Sequence, residues 1–338
     1  MLVTTPTEQM FEAMIKATRG DDVFGEDHST NDLEAFVAHL TGHKAALFMT
    51  SGTMSNQIAI RSHLSQPPHS ILCDSRSHIY AFEAGGIAYH SQAQVTPLNP
   101  INKMHLTFGE VSSNIICTDD IHYAPTRVIS LENTLNGLIL PLNEIKNISE
   151  LARKKGIKMH LDGARIWNAS AETGIKLSVY GEYFDSMTLC CSKGIGAPIG
   201  SVLVGNEEFI KKARHLRKLF GGGWRQSGLL ASAAKFAIES NFPHKQKESH
   251  ILARRLATGL HGYGILITQP VHTNMVFIDT TAVNVTIDTL TEHLASRGIR
   301  ICGDNQSNTA RLVTHYQITP RAVEEFLQVV GEVVKKTI

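Results

Sequence analysis

Lys193 stands where an apolar, strand-like run, Ser186 to Cys191, gives way to the loop Gly194-Ile195-Gly196-Ala197-Pro198-Ile199-Gly200. A strand end followed by backbone with few side chains can present an amine to a ligand in a cleft. Upstream, Lys158-Met159-His160-Leu161-Asp162-Gly163-Ala164-Arg165 puts a carboxylate at the end of an apolar strand and a guanidinium three residues later. Ends of parallel strands are where ligands collect in open α/β sheets. Nearer the N-terminus, Ala46 to Asn56 has the pattern of strand, tight turn and helix start, with Ser51, Gly52 and Thr53 in the turn. Backbone N–H groups and hydroxyls at such a turn make an anion site.

Each of these pieces has an ordinary explanation. A lysine before glycines is usually a solvated surface group, an Asp near an Arg is usually a structural ion pair, and Ser-Gly-Thr is usually a capped helix. Together they are the parts that pyridoxal phosphate chemistry needs. The amine forms a Schiff base, the carboxylate pairs with the pyridinium nitrogen, and the turn holds the phosphate.

The elements that must position these groups are legible along the chain. With 338 residues, there is length for a large domain plus a smaller one. Helices are expected from Pro6 to a stop at Gly20, over Asn31–Leu40, Met54–Leu64 and Ile79–Tyr89, over Asn143–Lys155 with Asn143 as its cap, and over Glu207–Leu219. Between them fall strands at Ala45–Met49, Ser70–Cys73, Arg127–Leu131, Ile157–Leu161, Ser186–Cys191 and Ser201–Val204. That alternation predicts an α/β fold, a mostly parallel sheet flanked by helices. A long polar helix, Lys245–Leu260, then leads to short strands near Ile265, Met275–Ile278 and Arg311–Thr314, with helices at Thr286–Arg297 and Pro320–Lys336. The expected division is a large domain over 20–240 and a smaller α+β domain from 1–19 and 241–338.

Composition excludes several classes of function. A formal net charge of +1 is not the basic balance of a nucleic-acid-binding surface, and no nucleic-acid partner is expected. The five cysteines, Cys73, Cys117, Cys190, Cys191 and Cys302, form no Cys-x-x-Cys pair and mostly lie in apolar runs, as reduced thiols do. No apolar run reaches membrane-spanning length, and the first residues lack a secretory pattern. A soluble, cytoplasmic protein with no membrane partner is expected. The 17 histidines show no metal-ligand spacing, so no metal is expected.

Beyond these residues, the chain resembles the L-threonine aldolase family of the fold-type-I, aspartate-aminotransferase-like pyridoxal phosphate enzymes, and most closely its fungal members. The resemblance is carried in order by PTEQMFEAM, GDDVFGED, SGTMSNQIAIRSHL, DSRSHIYAFEAGG, APTRVISLENT, HLDGARIWNA, SKGIGAPIGSVLVG, GGGWRQSG and RLVTHYQIT, over essentially the whole chain. It implies pyridoxal 5'-phosphate bound as a Schiff base to Lys193, with Asp162 on the ring nitrogen and Ser51, Gly52 and Thr53 at the phosphate. It implies that His78 stacks on the ring and that His122 lies near the substrate's hydroxyl. It also implies that Arg165 and Arg311 fork onto the substrate carboxylate and that Arg225 serves the phosphate or a subunit contact. Glu83 is either catalytic or a buried hydrogen-bond partner.

The activity implied is cleavage of L-threonine, L-allo-threonine and similar small β-hydroxy amino acids to glycine and an aldehyde. His78 or His122 would remove the β-hydroxyl proton, directly or through water. Fungal relatives of this family also include alanine racemases that interconvert L- and D-alanine on such a site, and this alternative stays open. Two departures bear on the choice. The Arg-Ser-Asp-Thr run of family members has no counterpart in Met1-Leu2-Val3-Thr4-Thr5-Pro6, and Phe24 stands where the family has Tyr. The family also implies a homodimer or homotetramer with shared active sites.

Overall fold

Residues 4–301, 303–304 and 306–337 are described in a computed structural model; Met1–Val3 and Cys302 lie outside the described residues. Seven strands form the larger sheet: β1 (Ala45–Met49), β2 (Ser70–Asp74), β3 (Gln94–Leu98), β4 (Thr126–Glu132), β5 (Lys158–Asp162), β6 (Ser186–Cys190) and β7 (Ser201–Gly205). Their order is β1-β7-β6-β5-β4-β2-β3. β7 runs antiparallel to both β1 and β6, and the other pairings are parallel. This is the expected α/β architecture. β2, β6 and β7 are buried along their whole length, as strands covered by helices on both faces must be.

The smaller sheet, β8 (Leu266–Ile267), β9 (Met275–Asp279), β10 (Gly303–Asp304) and β11 (Thr309–Val313), is antiparallel in the order β10-β11-β9-β8. Its apolar core, with Ile278, Leu290 and Val330, is separate from the core around Leu161 and Leu189. The N-terminal helix Glu8–Ile15 belongs to both neighbourhoods. Met10 packs into the large core, and Thr5 exchanges hydrogen bonds with the Gln317 side chain beside the small sheet.

Two expected helices differ in ways that matter for the site. Ile79–Tyr89 is not one helix. A single turn, His78–Ala81, and a π-helical turn, Ile87–Ser91, are separated by Ala84 and Gly85, which have φ of 54° and 71°. At that break Glu83 turns into the interior and receives bonds from Asn56 and Gln57. The helix expected to be capped by Asn143 begins at Leu142, with Pro141 as its cap and no side-chain cap bond. Strand β3 and the helices Phe108–Asn114, Ile166–Thr173 and Gly228–Asn241 add to the expected elements.

Candidate active site

The strands β2, β4, β5 and β6 run parallel and end at one edge of the large sheet. From their C-terminal ends come His78 after β2, Glu132 on β4, Asp162 on β5 and Lys193 after β6. β1, paired through β7, brings the Ser51–Thr53 turn to the same edge.

Lys193 is half-buried, and no carboxylate or carbonyl among the described residues accepts a hydrogen bond from its ammonium. Its loop is held from three sides. Thr4 Oγ1 donates to the Lys193 carbonyl at 3.5 Å, Gln246 to that of Gly194 at 3.1 Å, and Asn241 to that of Ile195 at 2.7 Å. Gly196 has φ +89°, and a Cβ there would lie 2.5 Å from the Tyr316 ring.

Asp162 is 2% exposed. One of its oxygens accepts the Ala164 N–H at 3.0 Å, and the other accepts the Asn56 amide at 2.8 Å. The same Asn56 nitrogen donates to Glu83 at 2.9 Å, and Glu83 accepts His78 Nδ1 at 2.8 Å. Donor atoms of His78, Glu83 and Asp162 thus lie within 4.8 Å of one another. The Asn56 amide nitrogen joins the two carboxylates by donating to both.

Arg165 follows Asp162 at the strand end. Among the described residues its guanidinium finds no hydrogen-bond partner, and its Nε is buried. Burial lowers its pKa from the usual arginine value; Glu132 opposes that shift and Arg311 adds to it. Two neighbouring guanidinium groups without a bonded carboxylate are arranged to receive one.

At the phosphate turn, Ser51 caps the helix Gly52–His63 by accepting the Met54 N–H at 3.1 Å. The Ser51 carbonyl takes the Ser201 hydroxyl at 2.8 Å. Gly52 is required by space, since a Cβ would lie 2.7 Å from Cys190 Sγ.

The structure does not bring every expected residue to this edge. His122 is on an exposed loop, where its Nδ1 pairs with Asp120 at 2.6 Å and its ring is 80% exposed. Asp120 also accepts the His122 backbone N–H, which folds the loop back on itself. Arg225 is likewise exposed and pairs with Asp21 at 2.5 Å. The Arg225 carbonyl accepts the Asp22 N–H, which ties the GGGWRQSG and GDDVFGED stretches together. Phe24, in the second of these, is 72% exposed.

Two residues of the site had no signal of their own in the sequence. Asn56 bridges partners far away in the chain. Glu132 ends β4 directly beside Asp162 and accepts the His78 backbone N–H at 2.8 Å. Burial pushes its carboxyl up to about 8 and Asp162 adds to the rise, against the pull of the His78 N–H, Arg165 and Lys193.

Comparison with known proteins places the whole chain in a family. The low specificity L-threonine aldolase of Saccharomyces cerevisiae is 47% identical over 330 residues, which cover 97% of this chain and 84% of that one. An alanine racemase of Cochliobolus carbonum is 33% identical over 341 residues, covering 99% and 86%. Among solved structures, the threonine aldolase of Leishmania major superposes with a TM-score of 0.82 at 20% identity, covering 98% of each chain. The Beta-eliminating lyase family model matches residues 2–283. The chain therefore belongs to the beta-eliminating lyase family and, within it, to the threonine aldolase family.

Proposed function

We propose that this protein cleaves L-threonine, L-allo-threonine and related small β-hydroxy amino acids to glycine and an aldehyde, with pyridoxal 5'-phosphate held covalently on Lys193. The observation that carries this is the Lys193 amine, which has no hydrogen-bond partner among the described residues, set at one sheet edge with the buried Asp162 carboxylate and the Arg165 guanidinium, which likewise has none among them. These residues fit the cofactor. Asp162 offers a fixed negative charge to a protonated ring nitrogen, and Gly52 leaves the turn bare beside Cys190. Pyridoxal phosphate, when bound, supplies the electron sink that takes up the pair released as Cα–Cβ breaks.

The chain's own groups do the rest. Arg165 and Arg311 hold the substrate carboxylate, which fixes the bond at Cα that is labilised. His78 Nδ1 donates to Glu83, which leaves Nε2 as the ring nitrogen available to accept a proton. That nitrogen is the acceptor for the β-hydroxyl proton, and Glu83 stabilises the imidazolium that results. Ser51, Gly52 and Thr53 take the phosphate. His122 and Arg225, both exposed and each paired with a carboxylate outside this cluster, would each serve the site of a neighbouring copy in a homodimer or homotetramer. Among the described residues four cysteines are free, three of them buried, which fits a cytoplasmic setting, and no helix among these residues is long and apolar enough to cross a membrane.

Incubating the purified protein and pyridoxal phosphate with L-threonine tests this function. Acetaldehyde and glycine are expected, and Lys193→Ala is expected to lose both turnover and the visible absorbance of the lysine-bound cofactor. D-alanine formed from L-alanine, with no acetaldehyde from threonine, would replace the aldolase with the racemase.

A further inference from the structure

Behind Asp162 a line of hydrogen bonds runs through the interior along one face of the helix Gly52–His63, from Asn56 to His63 two turns further on. Asn56 Oδ1 is 3.2 Å from His160 Nε2. His160 Nδ1 is 2.8 Å from the Ser186 hydroxyl, which is 2.7 Å from His63 Nε2. Asn56, His160 and Ser186 are at most 1% exposed, and His63 is half-buried.

The direction of every bond follows from the two carboxylates. Asp162 and Glu83 both need donors, so Asn56 must turn its nitrogen towards them and its oxygen towards His160. That oxygen accepts only, so His160 Nε2 must carry a proton. Burial holds His160 neutral, and its Nδ1 is then bare and must receive the Ser186 O–H. The Ser186 oxygen in turn accepts from His63 Nε2–H. One tautomer of each histidine satisfies all the groups, and the opposite tautomer of His160 would aim two acceptors at each other.

We propose that His63, Ser186 and His160 form a positioning relay that locks the Asn56 amide and, through it, fixes the Asp162 carboxylate for the cofactor's ring nitrogen. The relay rests on the cofactor assignment made above. None of its members touches substrate. Its effect is on how tightly the ring is held and how firmly its nitrogen stays protonated. A flipped or mobile Asn56 would present an oxygen to two carboxylates, and Asp162 would keep only the Ala164 N–H as a donor.

Histidine tautomers are read directly by nitrogen NMR on the labelled protein, with His160→Gln assigning the His160 signals. The expected result is a proton on Nε2 and none on Nδ1 for both His63 and His160; the opposite tautomer at His160 overturns the relay. Pyridoxal phosphate titrations followed by absorbance give the second measurement. His160→Phe is expected to weaken binding roughly 10- to 100-fold and to shift the pH midpoint of the visible band. His160→Gln, whose amide nitrogen takes the place of Nε2, should stay within about threefold of wild type. Wild-type binding by His160→Phe, or equal losses in both variants, overturns the proposal. Should His160→Phe not fold, the isosteric Asn56→Asp is expected to lose at least roughly tenfold in affinity, and unchanged affinity there overturns it as well. A wild-type chain that takes up no pyridoxal phosphate removes the cofactor assignment and the relay's role together. Wild-type uptake and threonine cleavage with tight-binding variants remove the relay alone.

Discussion

Glu132 and Asp162 stand directly opposite each other at the ends of neighbouring parallel strands, so two carboxyl groups share one end of the sheet. Burial and the Asp162 charge raise the Glu132 pKa from an ordinary 4.5 to about 8. The folded protein therefore binds a proton at Glu132 that the unfolded chain releases. The stability this contributes is full below pH 4.5 and is lost as pH rises through about 8. Glu132→Gln keeps an acceptor for the His78 N–H and removes the titration. Measured without added cofactor, the melting temperature of the variant should gain on wild type between pH 5 and pH 9 (on the order of several degrees). A constant offset across that range would show that Glu132 does not titrate in this way.

Arg165 carries a buried Nε with no partner, a cost that bound substrate would relieve. Arg165→Met should raise the KM for L-threonine roughly 10- to 100-fold, the loss of a charge-assisted bidentate contact. The same variant should melt no lower than wild type without ligands, because a buried, unpaired guanidinium is removed. A variant that unfolds early and keeps its KM would assign Arg165 to the scaffold.

Gly52 and Cys190 compete for one volume, with a Cβ on Gly52 meeting Sγ at 2.7 Å. Gly52→Ala should weaken pyridoxal phosphate binding by roughly tenfold or more, through displacement of the turn or of β6. Cys190→Ala should recover much of that loss in the double variant, a coupling read by a four-protein cycle of dissociation constants. Additive effects would mean that the glycine serves the turn's backbone and not the space beside the thiol.

His63 and His160 set the acid limit. Burial lowers His63 to about 3, with His160 adding to the shift, and lowers His160 to about 4. Both values lie below the 6.5 of an unfolded chain, so the stability involved is present above pH 6.5 and drains away as pH falls towards 4. His63→Gln, which retains a donor for Ser186, should move the midpoint of acid unfolding downward. An unmoved midpoint would place the acid sensitivity elsewhere, for instance at the buried His250, whose pKa burial also lowers.

The sheet was largely readable from the sequence because its strands are short apolar runs closed by turn residues; Ala45–Met49 and Glu207–Leu219 match the structure at both ends. Lys193, Asp162 and Gly52 were readable because a strand end or a bare turn marks each of them. Asn56 was not, since its meaning comes from Asp162, 106 residues away, and from Glu83, 27 residues away. Glu83 itself lay inside what looked like one amphipathic helix, and only the interior bonds from Asn56 and Gln57 reveal why the chain breaks there. His122 shows the converse. A local turn with Asp120 holds it off the cluster, and a local bond of that kind carries no mark in the spacing of apolar residues.

The antiparallel β7 has a consequence for how the protein is made. β1 finds its strand partner only in β7, whose first residue is Ser201, so the apolar segment Ala45–Met49 leaves the ribosome long before anything can pair with it. Throughout that interval the nascent chain carries an unsatisfied strand edge, the kind of surface that chaperones bind and that aggregation exploits. When β7 inserts, a single event buries that edge and joins the turn after Met49 to the strand that precedes Lys193. A ribosome stalled before residue 205 would therefore hold a chain in which that edge is still open.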